Sequence, residues 1–325
     1  MNGKKWILAE KYEGEPSVRN FKLVEEDIDE TLKDGEVICE AVYLSVDPYM
    51  RFFANDIGDV VKGEQVAKVI RSKNPDFKVG SLVLGYFGWR SLTKVSDVSK
   101  MRPMPNLGDF SPSLALGALG MPGLTAYFGV LDVLKVKPGQ TFVVTAAAGA
   151  TGSFAGQIAK LKGCKVIGFA GSKEKCDLIK EYGFDYAFNY KEVNLQEAMA
   201  KAAPEGVDCY FDNVGGEFTN NILSFMKTKG RIAVCGSMST YGMDDNQPTG
   251  PLPYHTMLKK TLTVQAFLVY HYSPEWPAAL NEMIQWVKEG KVKYQETITN
   301  GFDNMVDAFI GLFKGTNIGK AVVKC

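Results

Sequence analysis

Residues 145–156 read Thr-Ala-Ala-Ala-Gly-Ala-Thr-Gly-Ser-Phe-Ala-Gly and follow the apolar run Thr141-Phe142-Val143-Val144. Gly149 and Gly152 carry no Cβ, so the backbone there can approach a ligand that side chains would hold off. Over residues 153–161 apolar side chains recur at helical spacing. That predicts a helix whose free N–H groups and dipole face back toward the glycines, where an anion is favoured. A strand, glycine turn and helix in this order suit the pyrophosphate of a dinucleotide. The spacing is G-x-x-G-x-x-x-G rather than G-x-G-x-x-G, and the bare pattern also suits an ordinary tight turn.

A second group of residues bears on which dinucleotide. About 20 positions beyond such a turn, an acidic residue holds the ribose 2′-hydroxyl of NAD, whereas a basic residue accommodates the 2′-phosphate of NADP. Here the chain reads Gly171-Ser172-Lys173-Glu174-Lys175. Two lysines against one glutamate point to NADPH. The alternative for Lys173 and Lys175 is a solvated helix start.

These residues need a parallel sheet to hold them, and the pattern from residue 124 onward supplies one. A helix to about 134 leads to a strand over 141–145 and a helix to 162. A strand over 165–170, a helix to about 182, and strands at 186–188, 207–211 and 231–234 follow. Alternating strand and helix is the signature of a doubly wound α/β fold. The first 120 residues are β-rich instead, with strands expected over 36–46, 64–70 and 81–87, separated by Lys33-Asp34-Gly35 and Lys78-Val79-Gly80. Toward the end, β-branched and aromatic residues predict a strand over 261–269. Leu280, Met283, Ile284 and Val287 mark a helix face, and Phe302, Met305, Val306, Phe309, Ile310 and Phe313 mark another that reads as core. Lys320-Ala321-Val322-Val323 reads as a closing strand.

Composition narrows the function class. The 325 residues allow two domains, and 37 basic against 37 acidic residues leave no net field to draw in nucleic acid or a membrane surface. No stretch has the apolar length of a membrane span, and Met1-Asn2-Gly3-Lys4-Lys5 does not open a signal peptide. Six cysteines lie scattered without a C-x-x-C pair, as expected of reduced thiols in the cytoplasm. With two histidines, His255 and His271, and no Cys or His between Cys39 and Cys164, no zinc ligand cluster is visible and metal-free chemistry is expected.

Several segments resemble the zinc-independent medium-chain dehydrogenase/reductases, in the branch of prostaglandin and alkenal reductases. They are Val46-Asp47-Pro48-Tyr49-Met50-Arg51, Gly120-Met121-Pro122-Gly123-Leu124-Thr125-Ala126-Tyr127 and Ala146-Ala147-Ala148-Gly149. Phe211-Asp212-Asn213-Val214-Gly215-Gly216, Gly230-Arg231-Ile232-Ala233 and Asn317-Ile318-Gly319-Lys320 follow in order, so the resemblance spans nearly the whole chain. It implies a GroES-like β-rich catalytic domain of residues 1–122, completed by 295–325. It also implies an NADPH-binding Rossmann domain of residues 123–294, with the site in the cleft between the two.

Carried over by residue, the resemblance places Gly149, Ala150, Thr151 and Gly152 at the pyrophosphate. Lys175 would face the 2′-phosphate, with Tyr190 at the adenosine end and Asn213 near the ribose or phosphate. Cys235, Gly236, Ser237 and Tyr241, with Phe267, Leu268, Val269 and Asn317, would line the nicotinamide half. Without the resemblance, Asn213 reads equally well as a turn residue before Gly215-Gly216.

The activity implied is reduction of the carbon–carbon double bond of α,β-unsaturated ketones and aldehydes, such as 15-oxoprostaglandins and alkenals. Charge then builds on the carbonyl oxygen and calls for a hydrogen-bond donor. Tyr241 is the first candidate and Tyr49 the second, although Tyr49 also reads as a structural aromatic beside Pro48. Arg51 reads either as a clamp for an acidic substrate group or as half of a structural ion pair. Two other functions fit the same residues: a zinc-free quinone oxidoreductase, and a non-catalytic NADPH-binding protein. Relatives commonly pair as homodimers, and the 261–269 strand would suit a sheet edge. Pocket width would depend on loops such as 244–253.

Overall fold

The computed structural model describes residues 1–52, 56–241, 243 and 253–325. The chain forms two compact units, Met1–Gly117 with Glu296–Cys325, and Ala118–Gln295. The first unit opens with an antiparallel ribbon of β1 (Asn2–Leu8) and β2 (Phe21–Asp27). Next come β3 (Val37–Val46), the single helical turn α1 (Tyr49–Phe52), β4 (Gln65–Ser72), β5 (Leu82–Gly85), β6 (Leu92–Val95) and β7 (Met101–Pro103).

The second unit starts at α2 (Met121–Phe128), which runs into a π-helical turn, and enters the sheet at β8 (Thr141–Val144). It continues through α3 (Ala150–Leu161), β9 (Lys165–Ala170), α4 (Lys173–Glu181), β10 (Tyr186–Asn189), α5 (Leu195–Ala202) and β11 (Val207–Asp212). It closes with α6 (Gly216–Leu223), β12 (Met226–Val234), α7 (Tyr254–Lys260), β13 (Thr263–Ala266) and α8 (Trp276–Lys288). The chain then returns to the first unit as β14 (Glu296–Asn300), α9 (Met305–Lys314) and β15 (Lys320–Lys324).

In the second unit six strands lie parallel in the order β10-β9-β8-β11-β12-β13. Numbered along the sheet this is 3-2-1-4-5-6, the doubly wound dinucleotide order, whose direction reverses between β8 and β11. Strands covered by helices on both faces are buried throughout, and all four residues of β8 are. In the first unit β15 pairs antiparallel with β3, so the last segment of the chain completes a sheet begun by residues 37–46. The apolar stripe of α9 enters that unit's core: Phe309 packs edge-on to Phe21 and Trp89, with ring centroids 5.9 and 5.6 Å away.

Three local expectations need correction. The strand expected over 261–269 is confined to β13. Thr261 turns left-handed (φ 48°) to end α7, and Val269 opens a 3₁₀ turn. Between them Phe267 leaves the sheet to pack its ring 6.3 Å from that of Phe211. The helix after the glycine turn begins at Ala150, not 153, with Gly149 as its extended N-cap. The helix expected to reach 134 is regular only to Phe128.

Candidate active site

Ligands of open α/β sheets bind beyond the carboxyl ends of the strands, at the point where strand order reverses. Each candidate of the second unit lies just past such an end. Gly149 to Gly152 follow β8, Lys175 follows β9, Tyr190 follows β10 and Asn213 follows β11. Cys235 to Tyr241 follow β12, and Phe267 to Val269 follow β13. Tyr49 and Asn317 belong to the first unit.

The cradle after β8 rests on close backbone approach. A Cβ on Gly152 would sit 2.3 Å from the carbonyl oxygen of Ala146, so only glycine lets the first turn of α3 close down on the turn that precedes it. The opening amides of a helix have no partners within it, so those of Ala150, Thr151 and Gly152 form the positive end of α3. At the switch point, Asn213 is a brace. Its carboxamide donates to the Thr145 carbonyl (2.8 Å) and its backbone N–H to the Thr145 hydroxyl (3.0 Å), joining the ends of β8 and β11. The neighbouring Asp212 carboxylate is buried and accepts from the hydroxyls of Tyr210 (2.9 Å) and Thr219 (2.8 Å) and the amides of Val214 (3.0 Å) and Gly215 (2.9 Å).

The two lysines of the 171–175 segment have different environments. Lys173 is exposed and ion-paired with Asp177 one turn along. Lys175 is half-buried in the first turn of α4, and its backbone N–H donates to the N-cap hydroxyl of Ser172 (3.3 Å). Burial first, and then the charge of Lys191, lower its ammonium below the ordinary value, against an opposing pull from Glu174. Lys191 is not among the residues the sequence singles out; its only sequence signal is that it follows Tyr190. Its ammonium lies 5.9 Å from the centroid of the Tyr190 ring.

Residues 235–241 fold back over the end of β11. The amides of Cys235 and Gly236 both donate to the Asp212 carbonyl (2.8 and 3.1 Å), and those of Met238 and Ser239 to the carbonyls of Asn213 and Val214 (3.3 and 3.0 Å). Tyr241 ends this loop. Its phenolic oxygen accepts the Ser237 N–H at 3.4 Å. Burial raises the phenol above its ordinary 10.0; the Ser237 bond opposes the shift and Cys235 adds to it. The Cys235 thiol is itself pushed up to about 12 by burial and by Asp212, so it is a neutral thiol rather than a nucleophile. Beyond β13, Leu268 is exposed, while Val269 is buried and its carbonyl accepts the indole N–H of Trp276 (3.1 Å). The 244–253 loop lies, except for Pro253, outside the described residues.

In the first unit Tyr49 opens α1, and its hydroxyl shares a hydrogen bond with that of Tyr86. The turn leading into it is anchored from β15. The buried Lys320 ammonium donates to the Val46 carbonyl and the Asp47 carboxylate, each at 2.8 Å, while the Ser45 hydroxyl donates to the other carboxylate oxygen. Arg51 donates to the Gly14 carbonyl (3.3 Å from one nitrogen) and lies 4.5 Å from the Tyr12 ring centroid, a structural contact across the unit's own surface. The Asn317 carboxamide donates to the Gly319 carbonyl (2.9 Å). Among the described residues no group of three or more His, Cys, Asp or Glu side chains is placed to hold a metal ion, and His255 and His271 are both exposed.

A family model described as N-terminal domain of oxidoreductase matches residues 4–104, and one described as zinc-binding dehydrogenase matches residues 150–286. The chain is 50% identical over 329 residues to prostaglandin reductase 1 of Bos taurus, covering 100% of this chain and 99% of that protein. It is 42% identical over 337 residues to the NADPH-dependent curcumin reductase of Escherichia coli (strain K12), covering 99% and 96%. The crystal structure of CurA from Vibrio vulnificus in complex with NADPH superposes with a TM-score of 0.92 at 39% identity, over 99% of this chain and 98% of that one. Full-length identity at this level, on a sheet with the dinucleotide strand order, places the chain in the medium-chain dehydrogenase/reductase family of zinc-binding dehydrogenases, among the prostaglandin and curcumin reductases.

Proposed function

We propose that this protein reduces the carbon–carbon double bond of α,β-unsaturated ketones and aldehydes with NADPH, 15-oxoprostaglandins and 2-alkenals being the substrate classes to test. The observation that carries the reading is the gathering of the α3 start, Lys175, Tyr190 and the Tyr241 loop beyond the carboxyl ends of one parallel sheet. The close approach at Gly152 and the half-buried Lys175 fit a dinucleotide with a 2′-phosphate. When bound, NADPH supplies the hydride that the β-carbon of the enone accepts. Tyr241 donates its O–H to the carbonyl oxygen, where charge develops, and the Ser237 amide holds the phenolic oxygen in place. Tyr49 is the second donor in this reading, and the α-carbon takes its proton from solvent. Gly149, Ala150, Thr151 and Gly152 hold the pyrophosphate, Asn213 supports the ribose, and Cys235 to Ser237, Phe267 to Val269 and Asn317 enclose the nicotinamide half.

The test follows NADPH absorbance with a 15-oxoprostaglandin, a medium-chain 2-alkenal and a simple quinone in parallel, with NADH as control. Fast loss with an enone, faster with NADPH than NADH, is expected. Loss with the quinone alone would make the protein a quinone oxidoreductase, and binding of NADPH without turnover would make it a binding protein.

The same reading includes a homodimer. β13 is the outer strand of the six-stranded sheet, and all four of its residues are exposed. It also includes a cytoplasmic location, which the six free thiols, four of them buried, support.

A further inference from the structure

Three lysines lie around the carboxyl ends of β9 and β10, and the structure separates their roles. Lys173 is paired with Asp177 and directed to solvent. Lys175 and Lys191 come from different loops, one from the first turn of α4 and the other from just past β10. Lys191 is exposed, and its stem passes over Gly171. A Cβ built there would lie 3.2 Å from Tyr190 Cε1, 3.4 Å from its hydroxyl and 3.6 Å from Lys191 Cε. The Tyr190 ring and the Lys191 stem therefore fold back over Gly171, one residue before the N-cap of α4. The backbone holds them there: the Tyr190 amide donates to the Ala170 carbonyl (3.1 Å), and the Lys191 amide to the Asn189 side chain (3.2 Å).

We propose that Lys191 is a second cation of the 2′-phosphate subsite, closing with Lys175 and the Tyr190 ring on a phosphomonoester, so that preference for NADPH over NADH rests on two lysines. The proposal depends on the NADPH reading above. The Lys175 ammonium is lowered first by its burial and then by the like charge of Lys191, a repulsion between the two lysines. A phosphomonoester carries about two negative charges near neutral pH, so it relieves that repulsion where a ribose hydroxyl does not. Lysine binds phosphate as a point charge rather than as a bidentate fork, so two converging from separate loops fix the group better than one.

Calorimetric titration of the full-length protein with 2′,5′-ADP and with 5′-AMP tests this without turnover. Lys191→Gln should weaken 2′,5′-ADP by roughly tenfold or more, the range expected of one charge-assisted contact, and leave 5′-AMP unchanged. Lys191→Arg should restore most of the difference. Unchanged 2′,5′-ADP affinity in Lys191→Gln, or an equal loss for both probes, would overturn the role of Lys191 alone. Wild-type protein that binds the two probes equally would overturn the 2′-phosphate subsite and this proposal together.

Discussion

The Tyr241 phenol is asked to donate a hydrogen bond, and its surroundings keep it in the form that can. Burial raises its pKa above 10.0, so the neutral O–H form extends further into alkali than in a free tyrosine. The sign gives a prediction: kcat/KM for an enone should be flat from about pH 7 to 9 and decline only above about 10. Tyr241→Phe should lower kcat by roughly ten- to a hundredfold, the scale of losing one donor to a developing oxyanion, with NADPH affinity little changed. A decline centred near pH 8 in the wild type, or full turnover in the phenylalanine variant, would remove Tyr241 from the chemistry. At the same scale the sequence was an uneven guide. Lys175 and Tyr241 stood out by motif. Nothing about Lys320 announces that its ammonium lies buried against Asp47, because that pairing joins positions 273 residues apart. The place of Asn213 just past a strand end is legible, but not the brace to Thr145 that its carboxamide provides.

At the level of elements, the carboxyl end of β11 depends on one carboxylate. Asp212 gathers the Tyr210 and Thr219 hydroxyls and the Val214 and Gly215 amides, the last two opening the turn into α6. Asp212→Ala strands buried donors, each costing about 1–3 kcal/mol when unsatisfied, so a total loss of about 3 kcal/mol or more is expected in urea unfolding. Asp212→Asn keeps an acceptor oxygen and should lose less. Equal losses would mean that the network adds little. The parallel strands were the legible part of the fold, since runs such as Phe142-Val143-Val144 are apolar on both faces and bounded by turns. β1 and β2 were not individually legible. Their Lys4-Lys5 and Glu25-Glu26-Asp27 stretches dilute the alternation that a half-exposed ribbon needs to be recognised. The sequence pattern starts α3 late because Thr151 and Gly152 are poor helix formers, and their helical turn is fixed by the close approach to Ala146. The sequence pattern overextends β13 because β-branched and aromatic residues continue past its ends, where Thr261 caps a helix and Phe267 packs on Phe211.

At the level of the whole molecule, the proposed homodimer would form through the exposed β13 edge. Edge strands of monomeric proteins are commonly guarded by lysine, proline or a bulge. Thr263-Val264-Gln265-Ala266 has no charge and no proline, and Val264 is 43% exposed. The flanks add apolar surface, with Leu258 of α7 79% exposed and Tyr270 53% exposed. A two-fold axis through β13 would pair the strand antiparallel with its own copy, satisfying the open backbone groups and covering these side chains with the same patch of the partner. Sedimentation velocity should therefore give twice the monomer mass for the wild type. Val264→Lys sets a charge on each strand close to the axis, and Gln265→Pro removes a backbone donor. Either change should shift the protein to monomer, with the substitutions confined to the sheet edge. A wild-type monomer, or a dimer indifferent to both changes, would leave the exposed edge to be explained by another partner. A dimer abolished by both would show that its contact runs through the strand itself rather than through α7.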